Sequence, residues 1–173
     1  MLRWILVLIH AVTVAGSPYE PTFEATARAI DKVSHESPIY EGNDGPERTA
    51  AELVALASYE SSFNPRAVHA DQGGDSLGLY QINTSNLREL GLAREDLFDP
   101  ETATRAAVKL LRASHRTCRG WPPMQQLAAY ATGRGLCDVP EGVTASRHRL
   151  ERAVHLRREH PVFWTVDKAA IER

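Results

Sequence analysis

The chain has 173 residues, 43% of them hydrophobic and 24% charged, with a formal charge of −2. That length suits one compact domain with an adequate core, and the near-balanced charge argues against a nucleic-acid partner. No H-E-x-x-H, no Cys/His ligand spacing and no Gly-rich phosphate loop occurs in it, so the sequence gives no reason to expect a metal or a cofactor.

Arg3 precedes the apolar run Trp4-Ile5-Leu6-Val7-Leu8-Ile9, and small residues follow through Ala15-Gly16-Ser17. Residues 1–16 thus read as a secretory signal peptide or N-terminal anchor, too short for a membrane span of about 20 residues. The alternative is a buried helix or strand of the mature fold. Residues 17–45 read as an extended linker (Ser17 to Pro21), a helix over Phe23 to Val33 and a Pro-, Gly-, Asn- and Asp-containing loop over residues 36–46. Residues 46–140 form the central unit, and residues 141–173 a last helix and a tail.

The central unit opens with a helix starting near Pro46 or Glu47, its acidic residues at the positive end. A polar loop from Asp71 to Ser76 follows. Thr84 or Ser85 can cap a short helix through Leu90 that Gly91 ends. Asp99 as N-cap and Pro100 at the first position then start a strong helix, with Ala103, Ala106, Ala107, Leu110 and Leu111 on its apolar face. Another helix spans Met124 to Thr132 and stops at Gly133. The last runs from Ser146 to His160, with Leu150, Ala153, Val154 and Leu156 spaced for packing. Its five Arg side chains read as a solvated face. No long period-two alternation occurs, so the fold should be mainly α. Residues 162–173 have no reading.

Cys118 and Cys137 bracket Trp121, Pro122, Pro123 and the Tyr130 helix. A bridge between them would close a loop of about 20 residues, worth roughly 3 kcal/mol, and would fit an oxidising compartment. Two buried free thiols are the other reading.

Glu60 is the most informative residue. In the helix over Ala50 to Glu60, with roughly 100° per residue, Leu53, Leu56 and Ala57 share a face and Glu60 falls on it. Desolvation there disfavours the carboxylate, and the negative helix end acts the same way. A carboxylic acid that keeps its proton near neutral pH is suited to general-acid work. A Glu snorkelling to water, or paired with an Arg, is the structural alternative.

The residues around and after Glu60 carry a resemblance. Glu60-Ser61-Ser62-Phe63-Asn64-Pro65-Arg66-Ala67, then Leu77-Gly78-Leu79-Tyr80-Gln81-Ile82-Asn83, then Asp99-Pro100, then Ala128-Ala129-Tyr130-Ala131-Thr132-Gly133 follow in order. This resembles the lysozyme-like domain of the soluble lytic transglycosylases, which reads E-S-x-F-N-P-x-A, G-L-M-Q-I-N, D-P and A-Y-N-x-G. Tyr80 stands where the family usually has Met, and Ala131 where it has Asn. The approach Asp75-Ser76-Leu77-Gly78 is similar to that of the short specialised transglycosylases.

The resemblance implies a mainly α, lysozyme-like (goose-type or SLT) single domain with a small loop or β-hairpin lining the cleft. It implies cleavage of the β-1,4 bond between N-acetylmuramic acid and N-acetylglucosamine in peptidoglycan, with closure of a 1,6-anhydro ring and no cofactor. Glu60 matches the catalytic glutamate. Gln81, Tyr130, Gly78 and Tyr80 are the candidate substrate-binding positions: the Gln81 amide toward the sugar, the Tyr130 hydroxyl toward Glu60 or the acetamido group, Gly78 for close backbone approach. Trp121 reads equally as a stacking platform or as core. Ser62 and Asn64 read as turn formers, and His69 as a surface residue. A hydrolytic muramidase would need a base for water, for which Asp71 and Asp75 are candidates. A silent wall-binding module is the reading from another class. The expected partners are glycan strands, with no nucleic acid; a secretion, conjugation or phage apparatus would fit the same short domain, as a monomer, exported to a periplasmic or extracellular space or held at the membrane by its N-terminus.

Overall fold

The computed structural model describes residues 1–162 apart from Gln72 and Arg134, with the side chain of Asp71 also outside the description. Among the described residues there are seven α-helices and one small sheet. The chain runs α1 (Leu2–Val12), α2 (Phe23–Glu36), α3 (Gly45–Ser61), β1 (Val68–Asp71), β2 (Gly74–Leu77), β3 (Ile82–Asn83), α4 (Leu87–Leu90), α5 (Pro100–Thr117), α6 (Ala128–Thr132) and α7 (Pro140–Glu159). The mainly α expectation and the small β region both stand.

Helix α3 is buried on every side from Thr49 to Ala57. The apolar stripe read through Leu53, Leu56 and Ala57 is thus part of a wholly enclosed helix. Its many alanines let α1, α2 and α7 approach closely, and all three pack on it. Glu52, only 1% exposed, lies within this helix. It accepts a hydrogen bond from the Tyr40 hydroxyl, and His115 Nε2 lies 3.5 Å from its Oε1. A buried carboxylate with such partners fastens α3 to the 37–44 loop and to α5.

Residues 2–12, read as a signal or anchor, form α1. Ile5, Leu8 and Ile9 have no exposed surface and join the same core as Leu53 and Leu56. Trp4 Nε1 donates to the His160 carbonyl at 2.6 Å, tying α1 to the end of α7. No helix among the described residues is long and apolar enough to cross a membrane.

The sheet is antiparallel in the order β1-β2-β3, with Val68 opposite Leu77, Asp71 opposite Gly74, and Leu77 opposite Ile82. Two of the caps expected from the sequence can be compared directly. Asp99 Oδ1 accepts from the Thr102 amide at 2.8 Å and Pro100 opens α5, as read. Ahead of α4 the chain makes a 3-10 turn over Thr84–Asn86, and its cap is Asn83, whose side chain accepts from the Ser85 amide at 2.9 Å, rather than Thr84 or Ser85. The helix read over Met124 to Thr132 divides into a 3-10 turn over Pro123–Gln125 and the five-residue α6. Helix α7 begins at Pro140, six residues before the expected Ser146, because Pro140 at its first position and Glu141 in its first turn favour initiation there. Val154, read as packing, is exposed. Cys118 and Cys137 are joined as a disulfide that ties the end of α5 to the segment between α6 and α7.

Candidate active site

Helix α3 delivers Glu60 at its last turn, where the fully buried part of the helix gives way to a groove. The two residues after the helix's last residue, Ser61, stop it in the left-handed region: Ser62 has φ 51° and Phe63 φ 65°. A bulky residue rarely adopts that backbone, and burial of the Phe63 ring against Phe23 holds it there. Ser61 Oγ donates to the Leu79 carbonyl at 2.8 Å, so the end of α3 is pinned to the segment joining β2 to β3.

That segment carries the Leu77 to Asn83 motif. Gly78 has φ +70°, and a Cβ there would lie 2.1 Å from the Leu97 carbonyl oxygen. Its close approach is therefore to the protein's own backbone, and it does not line the groove. Tyr80, read as a substrate-binding candidate, has its side chain in the core instead, with its hydroxyl 3.1 Å from Thr104 Oγ1. Gln81 does line the groove, at φ 48°. Its Nε2 donates to the Gly78 carbonyl at 3.0 Å, so the amide is braced across its own turn. Tyr130 reaches the groove from α6, but its hydroxyl donates to the Tyr80 carbonyl at 2.7 Å rather than to Glu60. The motif residues thus form one unit: Tyr130 holds the backbone that presents Gln81.

The groove has a volume of about 1430 Å³ and is open to solvent. This exceeds the roughly 300–1,000 Å³ of small-molecule pockets and suits a length of polymer. Glu60, Gln81, Tyr130, Ser76 and Asn83 share it with Ala131, which stands where the family pattern has Asn. His69 is exposed on its wall. Trp121 is 43% exposed and outside the groove lining, so it is neither deep core nor a wall of this cleft. Among the described residues no cluster of three or more His, Cys, Asp or Glu gathers as a metal-holding set.

The sequence reading missed Arg149. By pattern it reads as one of the solvated arginines of the last helix, but it is 5% exposed and its Nη2 donates to Glu60 Oε1. The signal was present. Gly142, Ser146, Arg149, Ala153 and Leu156 form the buried stripe of α7 at three- and four-residue spacing, so Arg149 occupies a core position. Tyr59 was missed too. It is exposed at the groove, and its ring lies 4.8 Å from the Arg149 guanidinium carbon.

The Glu60 side chain is 15% exposed. Burial pushes its pKa up, the Arg149 guanidinium pulls it down, and burial is the larger effect, so the carboxyl stays above the ordinary carboxylate range. Burial, and then the nearby Glu60 charge, push the Tyr130 phenol up, so it stays a neutral hydrogen-bond donor.

A recessed acid of this kind can protonate an acetal oxygen, and an open groove of this volume can seat a stretch of the polysaccharide that contains it. On a mainly helical frame with a small antiparallel sheet, these features define the lysozyme-like class. The model of the family described as Transglycosylase SLT domain matches residues 38–148, well over half of the chain, and the chain belongs to that family. It is thus a peptidoglycan-acting domain of the transglycosylase and lysozyme-like kind. No curated protein shows a significant match to the chain, and no solved structure does.

Proposed function

We propose that the protein is a lytic transglycosylase in which Glu60 serves as both acid and base. As acid it gives its proton to the oxygen linking N-acetylmuramic acid to N-acetylglucosamine, and the C1–O4 bond breaks. As carboxylate it takes the proton of the muramoyl C6 hydroxyl while O6 bonds to C1 and closes the 1,6-anhydro ring. The attacking group belongs to the substrate, so proximity replaces a second protein carboxylate. Gln81, braced within its turn, offers its amide to the sugar, while Tyr130 and Gly78 keep that turn in shape.

One observation carries this reading over hydrolysis: Glu60 is the one recessed carboxyl among the described groove residues. Glu141, the other, is exposed at the start of α7. Asp75, a candidate base for a hydrolase, is paired with Arg94 at 2.7 Å and is not among the residues lining the groove. The side chain of Asp71, the other candidate, lies outside the described residues. A carboxyl held above its ordinary range also argues against a silent binding module, which has no use for such an acid. Action on peptidoglycan implies export to the periplasm or cell exterior, where the Cys118–Cys137 bridge would persist.

Digestion of purified sacculi followed by borohydride treatment tests the reading. Muropeptides whose muramoyl ends resist reduction are expected. Ends that all reduce to the alditol would identify a hydrolase, and sacculi bound without release would identify the silent module.

A further inference from the structure

Arg149 is held in an unusual way for a groove residue. It stands on α7 one position beyond the matched family span, and it is the one Arg or Lys among the described groove-lining residues. Its guanidinium carbon lies 4.8 Å from the Tyr59 ring centroid and 5.9 Å from that of Tyr130, and the group donates to Glu60 Oε1. Its Nε and Nη1 are buried and have no hydrogen-bond partner among the described residues. A buried cation whose one hydrogen bond goes to the acid is poorly explained as a structural brace. Full bracing would satisfy the other donors as well.

We propose that Arg149 is a positioning residue for the glycosidic cleavage: it aims the Glu60 carboxyl into the groove and stabilises the carboxylate that forms as the proton leaves. This rests on the transglycosylase reading above. Before cleavage the proton sits on Glu60, and the guanidinium faces a neutral acid. As the proton passes to O4 and the C1–O4 bond breaks, negative charge appears on Glu60 beside a cation already in place. The carboxylate then takes the O6 proton as the C1–O6 bond forms, and the neutral acid returns. A stronger acid is obtained this way, at the cost of a smaller protonated fraction at high pH. The other ionisable groups along the groove are the Tyr130 phenol from α6, Glu141 at the start of α7 and His69 on β1. None of these acts on the Glu60 carboxyl as the Arg149 guanidinium does.

The test compares wild type with Arg149→Met and Arg149→Lys on soluble uncrosslinked glycan strands across pH. Arg149→Met is expected to lower the plateau kcat about tenfold with little change in KM. It should also move the alkaline limb to higher pH, because the carboxyl holds its proton longer once the cation is gone. Arg149→Lys should restore part of both. A parallel carbon-13 titration of the Glu60 carboxyl in wild type and Arg149→Lys reads the same coupling without turnover, should the Met variant fail to fold. Plateau and limb both unchanged in Arg149→Met, or a rate loss in both variants with limb and titration unmoved, would overturn the role for Arg149 alone. Wild-type protein that releases nothing would instead overturn the transglycosylase reading, and this role with it.

Discussion

A carboxyl that is to give up a proton near neutral pH, the role proposed for Glu60, needs an environment that slows its loss, and Glu60 has one. Enclosure at the exit of α3 raises its pKa and Arg149 moderates the effect. The same enclosure affects stability. In the native state Glu60 keeps its proton at pH values where the unfolded chain has released it. Below the ordinary carboxyl value of 4.5 there is no penalty, and the penalty grows as pH rises toward the folded value. Glu60→Gln, which mimics the protonated form, should therefore match wild type in melting temperature at acid pH and exceed it at neutral pH, while lysis of sacculi falls about a hundredfold or more. Thermal unfolding at two pH values checks this; a variant less stable than wild type at neutral pH would contradict it. Glu60 was legible because one carboxyl among Leu53, Leu56 and Ala57 violates helix patterning. Arg149 was not, because an arginine amid four others on one helix reads as solvated unless the stripe of Ser146, Ala153 and Leu156 is drawn through it.

At the scale of the element, the segment from Gly78 to Gln81 works as a splint. It receives a hydrogen bond from Ser61 at Leu79 and one from Tyr130 at Tyr80, and it crosses the Leu97 carbonyl at Gly78. A side chain at position 78 would meet that carbonyl while also demanding a positive φ. Gly78→Ala is therefore expected to cost more than about 2 kcal/mol in denaturant unfolding and to lower activity through the displaced Gln81. A variant within about 0.5 kcal/mol of wild type would show that the turn yields without consequence. The motif reading found these residues as a group but not their division of labour. A one-dimensional pattern marks Tyr80 and Gln81 alike, yet their backbone turns one side chain into the core beside Thr104 and the other into the groove. The Tyr130 hydroxyl likewise goes to a backbone carbonyl, a partner no motif encodes. The helix termini were legible where a local cap decides them, as at Asp99, and misplaced at α7, where Pro140 begins the helix before its apolar periodicity does.

For the molecule as a whole, the central question is how much lies in one cooperative core. Helix α3 is enclosed by α1, α2 and α7, and the disulfide ties the end of α5 to the segment that follows α6. The N-terminal segment composes like a leader, but Leu8 is as buried as Leu53. Composition cannot separate these outcomes, since an apolar helix suits a translocation signal and a protein interior equally. Leu8→Ala should cost about 2–5 kcal/mol if α1 is part of the working fold. Equilibrium unfolding of the full chain measures it, and a loss below about 0.5 kcal/mol would show that α1 contributes nothing to the folded domain.

In the proposed reaction the bond is cut without water. This is tested most directly by digesting sacculi in oxygen-18 water and weighing the released muropeptides. Closure of the muramoyl ring by its own C6 hydroxyl predicts anhydro products lighter by one water and free of label at C1. Label at the new muramoyl end would mean that water was the nucleophile, and that Glu60 serves a hydrolase.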